Sequence, residues 1–207
     1  MKNFDNSFLN EKIKLIAGVD EAGRGPLAGP VVSSAVIFDE NTFIDGVNDS
    51  KKLTEKERDE LFPVIINKSL AYSVSVISHG KIDLINILQA SLLSMKVSVY
   101  RLNIKPHLIL IDGNKVFNSV IPSIPIVQGD AKSFSIAAAS IIAKVTRDRI
   151  MKRLDRYYPQ YLWAKNKGYA TQEHINAIKL YGSSPLHRKT FLTKILAEEQ
   201  QQQLPFK

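Results

Sequence analysis

Four carboxylic acids in this sequence follow segments that are predicted to be β-strands, and they are the residues best placed to do chemistry. They are Asp20, Glu21, Asp112 and Asp130. Functional groups of α/β folds collect where several strands end at one edge of the sheet. Carboxylate oxygens suit Mg²⁺ or Mn²⁺ rather than zinc. Two such ions, roughly 3.5–4 Å apart, would clamp a phosphodiester group, so the pattern predicts a metal-dependent reaction at phosphate.

Each acid also has a structural interpretation. Asp112 precedes a glycine, a pair that often forms only a turn after a strand, and Asp130 lies where an aspartate commonly caps a helix. Asp20 is harder to explain in this way, because an ionised group at the end of a buried strand needs a partner. Adjacent strand residues point to opposite faces, so Asp20 and Glu21 share a site only if the strand ends or bulges there. Alternatively, Glu21 contributes its backbone carbonyl.

A glycine-rich turn follows the first two acids directly. Its residues, Gly23-Arg24-Gly25-Pro26, bring backbone amides and one fixed positive charge next to the carboxylates. Glycine lets the main chain approach a ligand closely, and a guanidinium binds phosphate oxygens. The turn by itself predicts a phosphate-binding loop beside a metal site.

Basic and aromatic residues elsewhere suit a nucleic-acid ligand. Tyr169 lies among basic residues and a glycine, which favours stacking on a sugar or base over packing in the core. His174 and His187 have no carboxylate neighbour in sequence and are interpreted as structural or phosphate-adjacent. Lysines hold phosphates without reading sequence, although a solvated surface position is the simpler interpretation for most of them. The candidate lysines are Lys51, Lys52, Lys132, Lys144 and Lys167.

Strand and helix patterns alternate along the segments that must position these residues. The predicted strands are Leu15–Val19, Val31–Phe38, Leu70–Ile77, His107–Ile111 and Ile121–Val127. The predicted helices run from Thr54 to near Pro63 or a little beyond, from Ile82 to Leu102, from about Ser133 to Tyr157, from Gln172 to Tyr181 and from Phe191 to Glu199. The first two strands are close in sequence, which favours an antiparallel pair, and prolines place the last strand at an edge. The order predicts an α/β sheet that mixes parallel and antiparallel strands, flanked by helices.

Composition sets limits on location and partners. The chain has 207 residues, no cysteine and a formal net charge of +8. The basic balance favours a polyanion such as nucleic acid as partner. The absence of cysteine excludes disulfides and thiolate metal sites, and it favours a reducing cytoplasm. We expect no signal peptide and no membrane span, because no apolar run is long enough.

The motifs, taken in order, resemble those of bacterial type 2 ribonuclease H, ribonuclease HII. The resembling segments are Gly18–Pro26, Asn48–Leu53, Asp112–Gly113, Gly129–Ser133, Ala137–Lys144, Lys167–Thr171 and His187–Arg188. They cover nearly the whole chain. Departures occur at Leu162-Trp163, Ala170 and Thr190, where the family often has Gly-Phe, Gly and Ser. None of these positions is an acid, so they bear on loop shape rather than on chemistry.

This resemblance implies a ribonuclease H-like fold and cleavage of RNA in RNA–DNA hybrids. It also implies incision on the 5′ side of single ribonucleotides in duplex DNA, which leaves 3′-hydroxyl and 5′-phosphate ends. The four acids would hold two Mn²⁺ or Mg²⁺ ions. The Gly23-Arg24-Gly25 turn would contact the ribose 2′-OH, and Tyr169 would pack on the following sugar. Ser133 and the lysines Lys51, Lys132, Lys144 and Lys167 fall within motifs expected to bind substrate.

Domain organisation follows from the same patterns. We expect a catalytic domain over residues 1–158, a helical appendage that contacts substrate over 159–199, and a flexible tail over 200–207. The tail resembles short peptides that dock into bacterial sliding clamps through Gln201, Leu204 and Phe206. It could instead fold back or be disordered. A monomer is the default expectation.

Two rival functions stay open at this point. A non-catalytic binder of RNA–DNA hybrids would keep the basic surface but would not need all four acids. A two-metal phosphotransferase of the resolvase or integrase type would lack the Gly-Arg-Gly turn and the tyrosine.

Overall fold

Five strands form one mixed sheet in the computed structural model, which describes residues 1–193 of the chain. The strands are β1 (Ile16–Ala22), β2 (Val31–Ile37), β3 (Ala71–Ile77), β4 (Leu108–Asp112) and β5 (Ser123–Ile126). Their order across the sheet is β3-β2-β1-β4-β5. β2 runs antiparallel to both β1 and β3, whereas β4 runs parallel to β1 and β5. The predicted mixture of directions, the β1–β2 pair and the edge position of β5 are confirmed.

Helices cover both faces of the sheet. They are α1 (Lys2–Asn6), α2 (Glu55–Lys68), α3 (His79–Ile85), α4 (Ile87–Tyr100), α5 (Gly129–Lys132), α6 (Phe134–Asp155), α7 (Trp163–Asn166) and α8 (Gln172–Tyr181), with a 3-10 turn at Pro159–Tyr161. Alternate residues of β1 face different layers. Ala17 and Val19 pack in a cluster with Met95 of α4, whereas Ile16 packs with Ile136 of α6.

The central strand comes unusually close to the start of α6. A Cβ atom added to Gly18 would overlap the backbone of Ser135 and Ile136. The predicted long helix Ser133–Tyr157 corresponds to α6, Phe134–Asp155. Ser133 is the N-cap of α6, and a separate short helix, α5, precedes it. This close approach places the first turn of α6 directly against β1.

Three features of the helices differ from the sequence-based predictions. The predicted helix Ile82–Leu102 is broken at Asn86, whose φ is 62°. The chain bends there by 120° between α3 and α4. The Asn86 side chain then caps α4 by accepting a hydrogen bond from Gln89 N–H. Pro63 does not end α2, which continues to Lys68. Helix α1 was not predicted, and its buried Asp5 accepts a hydrogen bond from Ser135 N–H at the start of α6.

The residues after α6 pack against α6 and against the loop between β1 and β2. Trp163 and Tyr161 lie fully buried in a cluster with Leu27 and Met151. Helical residues 189–193 end the described part, so most of the predicted helix Phe191–Glu199 and the whole tail lie outside it. The division at residue 158 stays a prediction.

Within residues 1–193, no helix combines the length and the apolar character that a membrane span requires. The bent pair of α3 and α4 reaches that length and composition only when its two helices are taken together.

Candidate active site

A cleft of about 340 Å³ opens where β1 and β4 end. Its lining residues are Asp20, Glu21, Ala22, Gly23, Arg24, Gly25, Ser50, Lys51, Asp112, Ser140, Lys144 and Tyr169. The parallel pairing of β1 with β4 matches Val19 to Ile111, so Asp20 and Asp112 are the next residues on neighbouring strands. The cleft therefore joins three of the predicted acids, the glycine turn, two of the lysines and the tyrosine.

Asp20 is buried on the α6 side of the sheet, with only 5% of its surface exposed. Its Oδ1 accepts a hydrogen bond of 2.6 Å from Glu21 N–H. The hydroxyl of Ser140 on α6 stabilises its charged form, and Ser140 is in turn hydrogen-bonded to Ser50 at 2.8 Å. Burial, together with repulsion from Glu21 and Asp112, nevertheless raises the pKa of Asp20 well above its usual value.

Glu21 points toward the opposite layer, as its place on the strand requires. It lies beside Ser91 of α4, and its Oε1 is 3.4 Å from Arg24 Nη1. Burial raises the pKa of Glu21, and the Arg24 charge offsets part of this rise. Its Oε2 is buried without a hydrogen-bond partner among the described residues. Both adjacent acids reach the cleft because they lie near the end of β1, beyond its pairing with β4, with one approaching from each face.

Asp112 and Asp130 are linked through the turn between them. Asp112 Oδ1 accepts a hydrogen bond of 2.7 Å from Gly129 N–H. Burial raises the pKa of Asp112, and repulsion by Asp130 adds to this rise. Asp130 is buried just behind the cleft lining, and its Oδ2 is 3.0 Å from the ammonium of Lys51. The fourth predicted acid thus neighbours Asp112 electrostatically and is joined to the cleft lining through Lys51.

The donor set fits a hard divalent cation. Within residues 1–193, no three acidic or histidine side chains form a ready-made ligand cage. The four acids nevertheless offer oxygen donors only, which is the preference of Mg²⁺ and Mn²⁺. Burial raises the pKa values of Asp20, Glu21 and Asp112, and repulsion from neighbouring carboxylates adds to the rise. A bound cation would offset these negative charges and give the buried Glu21 Oε2 a partner.

The glycine turn and Tyr169 form the opposite wall of the cleft. Gly23 has φ of +99°, a conformation that side chains disfavour, and a Cβ atom there would overlap the guanidinium of Arg147. The Tyr169 ring is 42% exposed and faces Gly25. Because Tyr169 is exposed, the alternative that it packs in the core does not hold.

The predicted substrate-binding residues divide into two groups. Lys51 and Lys144 line the cleft, and Lys144 pairs with Asp148 at 2.7 Å. Lys132 instead reaches the carbonyl of Val127, and Ser133 caps α6. Lys167 has its ammonium near the carbonyl of Ala164 and 3.5 Å from Glu55. The structure does not bring Lys132, Ser133 or Lys167 into the cleft.

The two C-terminal histidines form a buried pair outside the cleft. Their Nε2 atoms are 3.1 Å apart, and His174 Nδ1 is hydrogen-bonded to the carbonyl of Tyr169. Trp163 Nε1–H donates to His174 Nε2, and Ser184 N–H donates to His187 Nδ1. Burial lowers the pKa of both histidines, that of His187 to about 4 with the help of His174. These bonds fit the structural interpretation and add a link to Tyr169.

Several supporting residues escaped the sequence-based interpretation. Ser50, Ser91 and Ser140 touch or neighbour the acids but look like ordinary serines in the sequence. Arg147 received no role from the sequence, although it is almost fully buried. Ser50, Ser140 and Arg188 lie within the family-like segments but were likewise given no role. The sequence does not reveal what these residues contact, because their partners lie in distant segments.

Comparisons with known proteins agree with this geometry. Residues 17–194 match the Ribonuclease HII family. A ribonuclease HII of Caldanaerobacter subterraneus subsp. tengcongensis is 49% identical over 95% of this chain and 81% of its own length. The ribonuclease H2 of Pyrococcus horikoshii has a TM-score of 0.75 at 32% identity, covering 92% of this chain and all of that one. The ribonuclease HII in a PCNA complex from Archaeoglobus fulgidus has a TM-score of 0.72 at 26% identity, covering 84% of this chain and 94% of that one.

These relatives confirm the ribonuclease H-like fold that the motifs implied. They also remove the non-catalytic alternative, since the match includes the segments that carry all four acids. The chain belongs to the ribonuclease HII family and is a metal-dependent endoribonuclease that acts on RNA paired with DNA.

Proposed function

We propose that this enzyme, besides cutting RNA in hybrids, incises duplex DNA on the 5′ side of a single embedded ribonucleotide, leaving 3′-hydroxyl and 5′-phosphate ends. The observation that carries the proposal is the position of the Gly23–Gly25 turn and Tyr169 in the same cleft as the acids. A protein distinguishes RNA from DNA through the ribose 2′-OH, which needs donors and acceptors at close range. Main-chain groups of a glycine turn supply them without a side chain in the way.

Each part of the cleft has a role in this proposal. Asp20, Glu21, Asp112 and Asp130 would hold two Mg²⁺ or Mn²⁺ ions, with Asp20 shared between them. Such ions, when bound, activate water and neutralise charge on the phosphate. Asp20 and Asp112, on adjacent strand ends, would orient the ions toward the scissile phosphate.

Ribose recognition is assigned to the opposite wall. The Gly23-Arg24-Gly25 turn would contact the 2′-OH, and the exposed ring of Tyr169 would pack on the next sugar. Lys51 and Lys144 would meet phosphates near the reacting group. For Lys132, Ser133 and Lys167, the observed contacts favour a supporting role rather than direct binding.

Three duplexes that differ at one nucleotide, together with a fourth substrate, test the proposal. The central position is ribo, deoxy or arabino, the last having its 2′-hydroxyl on the other face of the sugar, and the fourth duplex is a long RNA–DNA hybrid. With Mg²⁺ and Mn²⁺ in parallel, we expect cleavage of the ribo duplex and the hybrid only. Equal cutting of the ribo and deoxy duplexes would remove the 2′-OH assignment and favour a resolvase-type activity. Labelled ends identify the products.

The C-terminal tail supports a separate proposal about partners. Gln201, Leu204 and Phe206 lie outside the described residues, and their spacing resembles clamp-docking peptides. The Archaeoglobus relative occurs in a complex with PCNA. We propose that this chain, as a cytoplasmic monomer, docks to a bacterial sliding clamp through this tail. Titration of a purified clamp with the wild type and the double variant Leu204→Ala, Phe206→Ala should show affinity for the wild type only, and equal affinities would contradict the proposal.

A further inference from the structure

Two arginines lie buried beneath the ribose-recognition wall without a carboxylate to balance them. Arg147 is 1% exposed and Arg188 is 0% exposed. Neither forms an ion pair within residues 1–193. Burying a guanidinium costs free energy that must be recovered through hydrogen bonds. Here, backbone carbonyls accept those bonds.

Arg147 contacts both parts of the wall. Its Nε and Nη2 donate to the carbonyls of Pro30 and Ala28, at 3.0 and 3.2 Å, in the loop that follows the glycine turn. Its Nη1 donates to the carbonyl of Lys167 at 3.0 Å, and its guanidinium carbon lies 5.8 Å from the centre of the Tyr169 ring. A single rigid group therefore spans the turn side and the tyrosine side.

Arg188 contacts only one of these two sides. Its hydrogen bonds go to the carbonyls of Gly23, Arg24, Gly29 and Pro30. None of them reaches residues 167–169. The two buried arginines therefore differ in what they join. Arg188 binds the turn itself, whereas Arg147 links the loop that follows the turn to the segment that carries the tyrosine.

We propose that Arg147 is a positioning residue that fixes the separation between the Gly23–Gly25 turn and Tyr169, and so sets how closely one ribose fits between them. The inference rests on the proposed recognition of the 2′-OH. Gly23 lies directly against the Arg147 guanidinium, so that even a methyl group there would overlap it. A lysine at position 147 lacks the planar fork that serves three carbonyls at once. The two sides would then be joined mainly by the backbone bond from Leu27 N–H to the Gly168 carbonyl at 2.8 Å.

A double-mutant cycle tests the inference on the ribonucleotide duplex. Arg147→Lys should lower kcat/KM by about 10- to 100-fold in the wild-type background. In the Tyr169→Ala background it should change kcat/KM by less than about 3-fold, because the distance that it fixes no longer matters. Arg188→Lys should give the same fold-change in both backgrounds. Arg149→Lys, an exposed position on the same helix, is the control and should behave as wild type.

Two further measurements separate positioning from general damage. The melting temperature reports folding, and the Mn²⁺ affinity by calorimetry reports the acid site, which Arg147→Lys should leave unchanged. Equal fold-changes for Arg147→Lys in both Tyr169 backgrounds would overturn the inference. Arg147→Gln repeats the cycle, and failure of both variants to fold would show a structural role and also overturn it. If the wild type itself ignores the 2′-OH, the proposed function fails independently of the cycle.

Discussion

Asp112 accepts a hydrogen bond of 2.7 Å from Gly129 N–H, which ties the end of β4 to the turn that presents Asp130. Asn in place of Asp112 keeps an oxygen acceptor for this bond but removes the negative charge. We expect Asp112→Asn to keep its melting temperature within a few degrees of the wild type. Its cleavage rate should fall by more than the roughly 10- to 100-fold typical of outer-shell changes at metal sites. Turnover near the wild-type rate at saturating Mg²⁺ would contradict the assignment.

The close approach of β1 and α6 predicts strong sensitivity at Gly18. Gly18→Ala would place a methyl group into the backbone of Ser135. Overpacking of a rigid core typically costs about 1–3 kcal/mol, and here backbone rather than a side chain must move. We expect urea denaturation to show a loss at or above this range. Gly80→Ala, which has open space around it, is the matched control and should leave stability nearly unchanged.

Gly25 offers a test of the recognition wall that does not disturb the fold. A Cβ atom at this position would lie 3.7 Å from Cε1 of Tyr169, an ordinary contact distance. Gly25→Ala should therefore fold normally but fill part of the space assigned to the sugar. We expect KM for the ribonucleotide duplex to rise by about 10-fold, the usual order of effect for one misplaced group. An unchanged KM would place the sugar elsewhere.

Divalent cations should stabilise the wild-type protein. Burial raises the pKa values of Asp20, Glu21 and Asp112, and repulsion between neighbouring carboxylates adds to the rise, so their ionised forms are disfavoured without a cation. A cation at 100 times its dissociation constant adds about 2.7 kcal/mol to folding stability. We expect Mn²⁺ to raise the melting temperature of the wild type by several degrees and to have a much smaller effect on Asp20→Asn. A chelator should reverse the rise.

The histidine pair predicts a loss of stability in acid. The pKa of His187 is lowered to about 4, mainly by burial, from an ordinary value of 6.5. The unfolded chain binds the proton more tightly, so this contribution is complete above about pH 6.5 and is lost as the pH falls toward 4. Denaturation at pH 7 and pH 4.5 should show a smaller pH effect in His187→Gln than in the wild type. The exposed His107→Gln variant should keep the wild-type pH effect.

Local patterns were sufficient to predict the strands of the sheet and to place Asp20 and Asp112 at strand ends. The apolar runs before Asp20 and Asp112 identified their strands, and the register of β1 with β4 brings these two acids side by side. The break at Asn86 was not predictable, because apolar spacing continues across it and only tertiary packing turns the chain there. Helix α2 extends five residues past Pro63, further than predicted, because it tolerates the proline within its 14 residues.

The cleft also depends on residues that no local pattern marks. Ser140 and Arg147 lie on one buried helix and act on segments more than a hundred positions away in sequence. Only some of the predicted lysines line the cleft, because others bind groups elsewhere in the structure. The ammonium of Lys167 lies near the carbonyl of Ala164 and the carboxylate of Glu55, contacts that the sequence alone does not reveal.

The bond from Arg188 to the carbonyl of Gly23 joins residues 165 positions apart. During synthesis, the turn emerges from the ribosome early, while the group that fixes it emerges among the last described residues. Contacts of such long range form late, because closing a long loop costs entropy before it gains contacts. The acid-bearing strands can therefore pair while the Gly23–Gly25 turn still lacks its bonds from Arg188. A nascent chain that stops short of residue 188 has its carboxylates but lacks the side chain that anchors this turn.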